Sequence, residues 1–320
     1  MLDRMQPPRH PARRPANVST VEHLERYRPI VDDWPAFSDA CQRPLPRVVW
    51  ANPLRGDIEA IGRRILTRCP DAVPLNWYPG GWRLPPKVKP GNWPEYRMGF
   101  VHGQEEAALW PVGVLDPQPG ERVLDLCAAP GNKTAQMAIR MQDRGVIVAN
   151  EKRWDRLAST RHNLERLGVS NTTVVCHDGL HLPDELGPFD RVLADVPCSC
   201  EGTGRKPRGQ KRGADDKWRW TIVSTQIGLL RRALQLTRPG GIVVYATCTY
   251  APEENERVLD SVWPEFAAIE PITPPAGVTV APGIPEWDGR VFREDVRHAC
   301  RFWPHHNNTG GFFVARLRRL

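Results

Sequence analysis

Two cysteines of this sequence, Cys198 and Cys248, lie in short polar motifs that each follow an apolar run. The motifs are D-V-P-C-S-C-E-G-T after F-D-R-V-L-A, and T-C-T after G-I-V-V-Y-A. A thiolate can add to carbon 6 of an electron-poor pyrimidine ring, which makes carbon 5 able to accept a methyl group. The proton on carbon 5 must then leave before the sulfur can, and a second thiol can assist that step. The pair therefore predicts thiol chemistry on a pyrimidine, with simple apolar packing of each cysteine as the alternative.

Three carboxylates are expected beside the two thiols, at the rim formed by the carboxyl ends of the predicted strands. Glu151 follows the apolar run 146–149, about twenty residues after a glycine-containing loop, a spacing typical of a carboxylate that binds ribose hydroxyls. Asp178 follows the run 172–176 and could accept a hydrogen bond from an adenine amino group, with a turn residue that caps the strand exit as the alternative. Asp195 could hydrogen-bond ring nitrogen 3 and the exocyclic amine of cytosine.

The segment that must position these groups is R-V-L-D-L-C-A-A-P-G-N-K-T, residues 122–134. Its apolar start predicts a buried parallel strand, Pro130-Gly131 breaks that strand, and residues 134–141 restart with helical spacing. A strand, tight loop and helix in this order place a small-molecule pocket at the carboxyl end of the strand. The loop matches neither G-x-G-x-x-G nor G-x-x-x-x-G-K-[ST], so no pyrophosphate site is predicted and another nucleoside cofactor is expected.

The alternation of strands and helices predicts a doubly wound α/β domain over residues 113–320. The predicted strands lie in the segments 122–126, 146–149, 172–176, 189–200, 241–249 and 311–317. Residues 35–112 predict a smaller α/β module, with strands at 46–55 and 72–77 on either side of a helix at 57–67. Residues 1–34 are rich in proline and arginine with little apolar periodicity, which predicts a flexible basic tail.

The balance of charges favours a polyanionic partner, because the net charge at pH 7 is +7. The stretch 204–220 combines seven basic residues with two tryptophans, a composition suited to gripping a phosphate backbone. The loop 77–93 interleaves aromatic and basic residues and suits stacking on bases. Packing of the aromatic side chains in the core is an equal alternative. These loop residues are Trp77, Tyr78, Trp82, Arg83, Lys87, Lys89 and Trp93.

The cysteine pattern and the hydropathy limit the class of protein. The 8 cysteines include no C-x-x-C pair, which argues against a zinc ribbon and for a reducing compartment. We expect Cys127, Cys176 and Cys200 to be small buried apolar side chains. The chain contains no apolar run of about 18 residues that could span a membrane. We therefore expect a cytoplasmic monomer that binds neither a membrane nor a metal.

Together the motifs resemble those of the RsmB/NOP/Sun-type RNA (cytosine-5) methyltransferases. The resemblance rests on D-L-C-A-A-P-G-N-K-T, Glu151, H-D-G, D-V-P-C-S-C-E-G-T and Y-A-T-C-T in this order. It implies S-adenosylmethionine as the methyl donor and ribosomal or transfer RNA as the partner. It also implies a Rossmann-like class I fold with a mixed seven-stranded sheet, preceded at 35–112 by an RNA-binding module similar to an RNA-recognition motif.

The resemblance implies a role for each matching residue. Cys248 would be the nucleophile on carbon 6, and Cys198 would assist release of the methylated base. Asp195 would hold the cytosine and face the donor, with Lys133 near the reacting groups. The residues that would bind the donor are Cys127, Ala128, Ala129, Pro130, Gly131, Asn132 and Lys133 through their backbone, Glu151 at the ribose, Asp178 near the adenine, and Arg156 close by.

Two residues depart from the family pattern. Asn132 stands where a second glycine is usual, which fits a left-handed backbone that asparagine tolerates. Cys200 is not part of the commonest P-C-S form, and spacing alone does not decide which of Cys198 and Cys248 attacks.

The leading interpretation is transfer of a methyl group to carbon 5 of a cytosine in RNA through a covalent cysteine adduct. An RNA-binding assembly factor with a catalytically silent methyltransferase domain is the alternative, and the presence of both thiols argues against it. A DNA cytosine methyltransferase would attack with the P-C cysteine and leave Cys248 without a task. A small-molecule methyltransferase would leave the basic stretch 204–220 unexplained.

Overall fold

The computed structural model of this protein describes residues 21–206 and 215–320. Its helices are α1 (Trp34–Gln42), α2 (Ile58–Arg68), α3 (Pro94–Arg97), α4 (Trp110–Leu115), α5 (Asn132–Arg140), α6 (Trp154–Leu167), α7 (Asp216–Leu236), α8 (Glu256–Asp260) and α9 (Pro304–Asn307). Its strands are β1 (Arg47–Ala51), β2 (Val73–Pro74), β3 (Gly81–Leu84), β4 (Val101–Gly103), β5 (Arg122–Asp125), β6 (Val146–Asn150), β7 (Thr172–Val175), β8 (Phe189–Asp195), β9 (Thr237–Thr247), β10 (Ala267–Glu270), β11 (Ala281–Pro282), β12 (Glu286–Trp287), β13 (Arg290–Val291), β14 (Cys300–Phe302) and β15 (Phe312–Arg319). None of these helices is long and apolar enough to cross a membrane.

The large sheet has the strand order β11-β14-β15-β9-β8-β5-β6-β7, and β10 also pairs with β15. Strands β5 to β9 run parallel, whereas β15 runs antiparallel to β9. The predicted doubly wound fold with a mixed sheet is therefore confirmed. Among the described residues, the large sheet contains the seven strands that the resemblance implies, six of which were located from the sequence, and the short strands β10 and β11. Strand β14 was not predicted, because three residues are too few for an alternating apolar pattern.

The large sheet is covered by helices on both faces. Leu124 and Val192 pack in one core cluster with the apolar side of α7. Their neighbours Val123 and Leu193 point to the opposite face and pack with α4 and α5. This alternation follows from the two-residue period of a strand. It explains why the strand segments are apolar at consecutive positions.

A second, antiparallel sheet has the order β2-β3-β1-β4. Helix α2 covers it and contributes Ile61 and Ile65 to their common core. The side chain of Asp57 caps α2 by accepting a hydrogen bond from the Ala60 amide at 2.8 Å. The predicted strand at 72–77 is reduced to the two residues of β2, because the chain turns at Leu75–Tyr78.

The segment before β1 differs from its prediction. Residues 1–20 of the predicted tail lie outside the described residues, but Glu22–Ile30 forms a 3-10 helix. Tyr27 of this helix is fully buried and packs with Phe37 of α1, Tyr250 and Trp303. The prediction of a flexible tail is therefore wrong for residues 21–34. These apolar residues lie in short elements, and their partners Tyr250 and Trp303 are more than two hundred positions away, so local periodicity does not reveal the packing.

Candidate active site

The carboxyl ends of the parallel strands form one rim. Asp195 is in register with Ala246 of β9, and Asn150 is in register with Val175 of β7. Residues that directly follow these strands must therefore lie side by side. The structure accordingly places Glu151, Asp178, Asp195, Cys198 and Cys248 along this rim.

Three thiols meet at the rim between β8 and β9. The sulfur of Cys198 lies 3.4 Å from that of Cys248 and 3.8 Å from that of Cys200. The Cys248 amide also donates to the Cys198 sulfur at 3.4 Å. The prediction that Cys200 is only a small buried apolar side chain is therefore wrong. Cys200 has a left-handed backbone, with φ of 59°, and this turn directs its side chain back to Cys198.

The loop that carries Cys198 is fastened to the ends of β9 and β15. The Gly202 amide donates to the Cys248 carbonyl at 3.0 Å, and the Gly311 amide donates to the Gly202 carbonyl at 2.9 Å. A Cβ atom on Gly202 would lie only 2.4 Å from the Gly311 carbonyl oxygen. The close backbone approach therefore requires glycine, and it fixes the distance between the two thiol-bearing segments.

Buried ion pairs stabilise the loop that carries Cys198. Arg219 of α7 contacts Glu201 at 3.2 Å and Glu254 at 3.5 Å, and all three side chains are buried. Glu254 also accepts a hydrogen bond from the Ser199 amide at 2.8 Å. Arg205 is likewise buried and donates to the Thr309 carbonyl at 2.7 Å.

The prediction that the basic stretch 204–220 grips phosphates is therefore wrong for Arg205 and Arg219. Both side chains support the fold instead. Lys217 and the two tryptophans are exposed, and Arg257 lies 4.3 Å above the Trp220 ring. Residues 207–214, which carry the other basic side chains of the stretch except Lys206, lie outside the described residues.

Contacts among the three thiols shift their pKa values in different directions. Hydrogen bonds from Cys198 and Cys248 lower the pKa of Cys200 to about 4. Hydrogen bonding with Cys200 raises the pKa of Cys198 well above its usual range. For Cys248 the hydrogen bond with Cys198 lowers the pKa, but the contact with Cys200 and burial outweigh it and raise the pKa to about 12. The first proton is therefore lost from the cluster as a whole, which leaves one negative charge shared among three sulfurs.

An ion pair lies beside the thiols. The Nζ atom of Lys133 contacts Oδ2 of Asp195 at 2.6 Å and lies 5.5 Å from the centre of the Phe312 ring. Burial lowers the pKa of Lys133, but the Asp195 and Asp125 carboxylates outweigh it and raise the pKa. Lys133 is therefore a cation that orients the Asp195 carboxylate.

The loop between β5 and α5 is held by side chains from α6. Arg156 donates to the Ala129 carbonyl at 2.7 Å and contacts Glu151 at 3.1 Å, while Asn163 donates to the Pro130 carbonyl at 2.9 Å. Gly131 has the left-handed backbone, with φ of 92°, and a Cβ atom there would lie 3.2 Å from Thr160. The expectation of a left-handed Asn132 is wrong, because Asn132 begins α5.

The donor set of this rim fits S-adenosylmethionine. The carboxylates of Glu151, Asp178 and Asp195 stand at the carboxyl ends of β6, β7 and β8, and in the sheet β5 lies between β8 and β6. Carboxylates accept hydrogen bonds from ribose hydroxyls and an adenine amine, and they attract a sulfonium cation. Asp178 contacts Lys152 at 2.6 Å, and this hydrogen bond lowers the pKa of Asp178.

The loop 126–131 between β5 and α5 is called the cofactor loop below. A chain of hydrogen bonds that the sequence did not reveal joins the small sheet to Asn132, which directly follows this loop. His102 of β4 contacts the Asn132 carboxamide oxygen at 2.9 Å and Arg166 of α6 at 2.6 Å. A guanidinium group only donates, so His102 accepts at Nδ1 and donates from Nε2 to Asn132. Burial lowers the pKa of His102 to about 4, so the imidazole is neutral. A lone histidine in H-G-Q gave no signal of this contact.

The aromatic residues of the loop 77–93 mostly serve the core. Trp82 is 8% exposed and packs against α2, where Trp93 also contributes. Trp77 donates to Glu106 at 3.2 Å, and Glu106 also binds Arg83. The alternative, that these aromatic side chains pack in the core, is therefore correct for Trp82 and Trp93. Lys87 and Lys89 remain exposed.

A cavity of about 630 Å³ runs between the small sheet and the cofactor loop. Arg47, Lys89 and Lys206 supply positive charge to its lining, Glu105 supplies one negative charge, and Tyr96 supplies an aromatic ring. A cleft that combines cations with a ring suits an extended nucleic-acid strand.

Among the described residues, two groups have donors close enough together for a metal ion. One is the three-thiol cluster. The other is Asp32 with His305 and His306, whose Nε2 atoms lie 2.9 and 2.8 Å from the Asp32 carboxylate oxygens.

Comparisons with known proteins agree with this architecture. A family model described as 16S rRNA methyltransferase RsmB/F matches residues 112–318. A tRNA (cytosine(49)-C(5))-methyltransferase of Pyrococcus abyssi is 34% identical over 305 residues, which cover 92% of this chain and 95% of that protein. A mouse 28S rRNA (cytosine-C(5))-methyltransferase is 35% identical over 291 residues, which cover 89% of this chain but 36% of that protein.

A solved structure gives the same result. The methyltransferase homolog protein from Pyrococcus horikoshii superposes with a TM-score of 0.79 at 32% identity, covering 89% of this chain and 90% of that one. The similarity therefore covers far more of the chain than the motifs alone. The chain therefore belongs to the RsmB/NOP/Sun family of RNA (cytosine-5) methyltransferases.

Proposed function

We propose that this protein transfers a methyl group from S-adenosylmethionine to carbon 5 of a cytosine in ribosomal or transfer RNA. The observation that carries the proposal is the 3.4 Å contact between Cys198 and Cys248, beside the Lys133–Asp195 pair. Relatives named for tRNA and rRNA cytosine methylation support the substrate class. When bound, S-adenosylmethionine supplies the methyl group. Glu151, Asp178 and the backbone of 127–133 would hold it.

Cys248 is the proposed nucleophile. Its thiolate forms a bond to carbon 6, and the electron pair of the carbon 5–carbon 6 double bond becomes available at carbon 5. The Asp195 carboxylate accepts a hydrogen bond from the exocyclic amine of cytosine, and Lys133 keeps that carboxylate oriented. The enzyme therefore holds the base while the adduct forms.

Cys198 is the proposed base for the release step. After Cys248 has bonded to carbon 6, Cys198 loses its own proton to solvent, and its thiolate then takes the proton from methylated carbon 5. The electron pair of that carbon–hydrogen bond restores the carbon 5–carbon 6 double bond. The bond between sulfur and carbon 6 breaks at the same time and returns the Cys248 thiolate. The sulfurs of Cys198 and Cys248 are close enough for both to reach adjacent carbons of one ring.

The test compares Cys248→Ala, Cys198→Ala and the control Cys69→Ala, whose thiol lies in the core of the small sheet. Each is incubated with labelled S-adenosylmethionine and total cellular RNA and separated under denaturing conditions. We expect the wild type and the control to label RNA, Cys248→Ala to label none, and Cys198→Ala to accumulate a protein–RNA adduct.

Two other outcomes would contradict these assignments. An adduct from Cys248→Ala would reverse the two cysteine roles. A wild type that binds RNA and labels nothing would favour the assembly factor with a silent methyltransferase domain.

A further inference from the structure

Cys200 has no task in the proposed reaction, although the structure directs it into the thiol cluster. Its backbone is left-handed, a conformation that non-glycine residues adopt rarely. Its sulfur lies 3.8 Å from the Cys198 sulfur and 3.3 Å from the Cys198 carbonyl oxygen. A cysteine held in this way beside two further thiols suggests a function that needs three sulfurs.

The spacing of the sulfurs matches the needs of a tetrahedral metal ion. Thiolates bind Zn²⁺ at about 2.3 Å, so two of them in tetrahedral geometry lie about 3.8 Å apart. The observed distances from Cys198 are 3.4 and 3.8 Å, and the three sulfurs lie within 4.8 Å of one another. Small side-chain rotations would therefore complete the coordination.

The cluster is also accessible and has the right chemistry. All three cysteines are half-buried and free, so an ion can enter from the rim and a water can take the fourth position. Thiolates select soft ions such as Zn²⁺ and disfavour Mg²⁺ and Ca²⁺. The buried carboxylate of Glu254 accepts a hydrogen bond from the Ser199 amide, which holds the backbone between Cys198 and Cys200 in place.

We propose that Cys198, Cys200 and Cys248 form a binding site for a thiophilic divalent cation of the Zn²⁺ type. The ion bonds to three thiolates, and the displaced thiol protons pass to solvent. Two of the three ligands are thiols of the proposed reaction, so the ion-bound protein is inactive and removal of the ion restores activity. The site itself does not depend on the proposed methylation, whereas the inhibition does.

The binding test uses the full-length, reduced protein and Co²⁺ as a spectroscopic substitute for Zn²⁺. Thiolate ligands give sulfur-to-cobalt charge-transfer absorption in the near ultraviolet, and a tetrahedral ion gives strong visible bands. We expect both signals from the wild type at one equivalent of Co²⁺, and loss of both on addition of Zn²⁺. Cys200→Ser should weaken Co²⁺ binding by more than about tenfold, because one of three protein ligands is lost.

Two controls identify the ligands. Cys176→Ser removes a half-buried thiol at the end of β7, and it should leave the cobalt spectrum unchanged. His305→Gln with His306→Gln removes the other candidate group, which contains no sulfur, and should leave the charge-transfer band unchanged. A wild type without this band, or a Cys200→Ser variant that binds Co²⁺ as tightly as the wild type, would overturn the proposal.

The activity test is separate. Zn²⁺ should inhibit methyl transfer by the wild type at a concentration more than about tenfold lower than it needs for Cys200→Ser, and a chelator should reverse the inhibition. Equal inhibition of both proteins would contradict the role of Cys200. If the protein transfers no methyl group at all, the cobalt spectra still decide whether the metal site exists.

Discussion

Lys133 shows how one side chain can serve a reaction through its neighbour. It contacts Asp195 at 2.6 Å and is itself 14% exposed, so water screens the pair only in part. We expect Lys133→Met to lower kcat/KM for methyl transfer by about 100-fold, because the Asp195 carboxylate loses its orientation. Lys133→Arg should recover part of the loss, since it restores the charge.

Thermal unfolding serves as the control for Lys133→Met. The melting temperature should change little, because the Asp195 side chain is 27% exposed and can be hydrated. Full activity of the methionine variant would show that the ion pair has no part in the reaction.

His102 makes the stability of the fold sensitive to pH. Burial lowers its pKa from 6.5 to about 4, which corresponds to about 3 kcal/mol. Its contribution is complete above pH 6.5 and is lost as the pH falls towards 4, because the unfolded chain takes up a proton that the folded imidazole does not.

His102→Gln tests this pH dependence, because glutamine keeps a donor for Asn132 and an acceptor for Arg166 without titrating. Urea unfolding of both proteins between pH 7 and pH 4 gives the difference in their free energies of unfolding. We expect this difference to shift against the wild type by up to about 3 kcal/mol over that interval. A difference that stays constant with pH would contradict the buried, neutral imidazole.

The sequence could predict single residues where one rule of topology was enough. Glu151, Asp195 and Cys248 each follow an apolar run, and parallel strands end at one rim, so their proximity was predictable. His102, Tyr27 and the buried Arg219 were missed, because their partners are distant in sequence and their local motifs are ordinary. Cys200 was missed because nothing in its spacing reveals the left-handed backbone that turns its sulfur inward.

At the scale of elements, the junction of the two sheets depends on close backbone contact. A Cβ atom on Gly99 would lie 2.0 Å from the carbonyl oxygen of Arg166 in α6, and Gly99 has φ of +78°. Gly99→Ala should therefore lower the free energy of unfolding by at least about 2 kcal/mol. Chemical denaturation would measure this change.

Gly113→Ala is the matched control for the junction. Gly113 lies exposed in α4 with open space around its Cβ position, so alanine should raise stability by up to about 1 kcal/mol. Equal effects of the two substitutions would show that the close contact at Gly99 is not required.

Elements of ordinary length were predictable, whereas short ones were not. Helices α2 and α5 and the parallel strands have clear apolar patterns, and their positions agree with the prediction. The 3-10 helix Glu22–Ile30 and strand β14 have no such period, since their stability comes from distant contacts such as Tyr27 with Tyr250 and β14 with β15.

At the scale of the whole molecule, the exposed cations beside the cavity at the small sheet should carry affinity for RNA. Lys87→Ala with Lys89→Ala should weaken RNA binding and reduce the slope of log K against log salt by about 1 to 2, because two phosphate contacts are lost. Filter binding or fluorescence anisotropy at several salt concentrations would measure the slope.

Arg144→Ala is the control for this surface. Arg144 is equally exposed but lies in the turn before β6, at the edge of the sheet opposite the rim. The substitution should leave the slope almost unchanged. A similar loss of slope in both variants would indicate a general charge effect in place of a defined RNA path.

The place of β15 in the large sheet has a consequence for synthesis on the ribosome. β15 separates β9 from β14, although the ribosome makes both of those strands before it. While β15 is still in the exit tunnel, the nascent chain exposes the edge of β9, which is the strand that leads to Cys248. The Gly311–Gly202 hydrogen bond, which fastens the Cys198 loop, also cannot form at that stage. The thiol cluster can therefore be assembled only after β15 has left the exit tunnel, and a chain that stalls before that point presents an open strand edge to chaperones or to other chains.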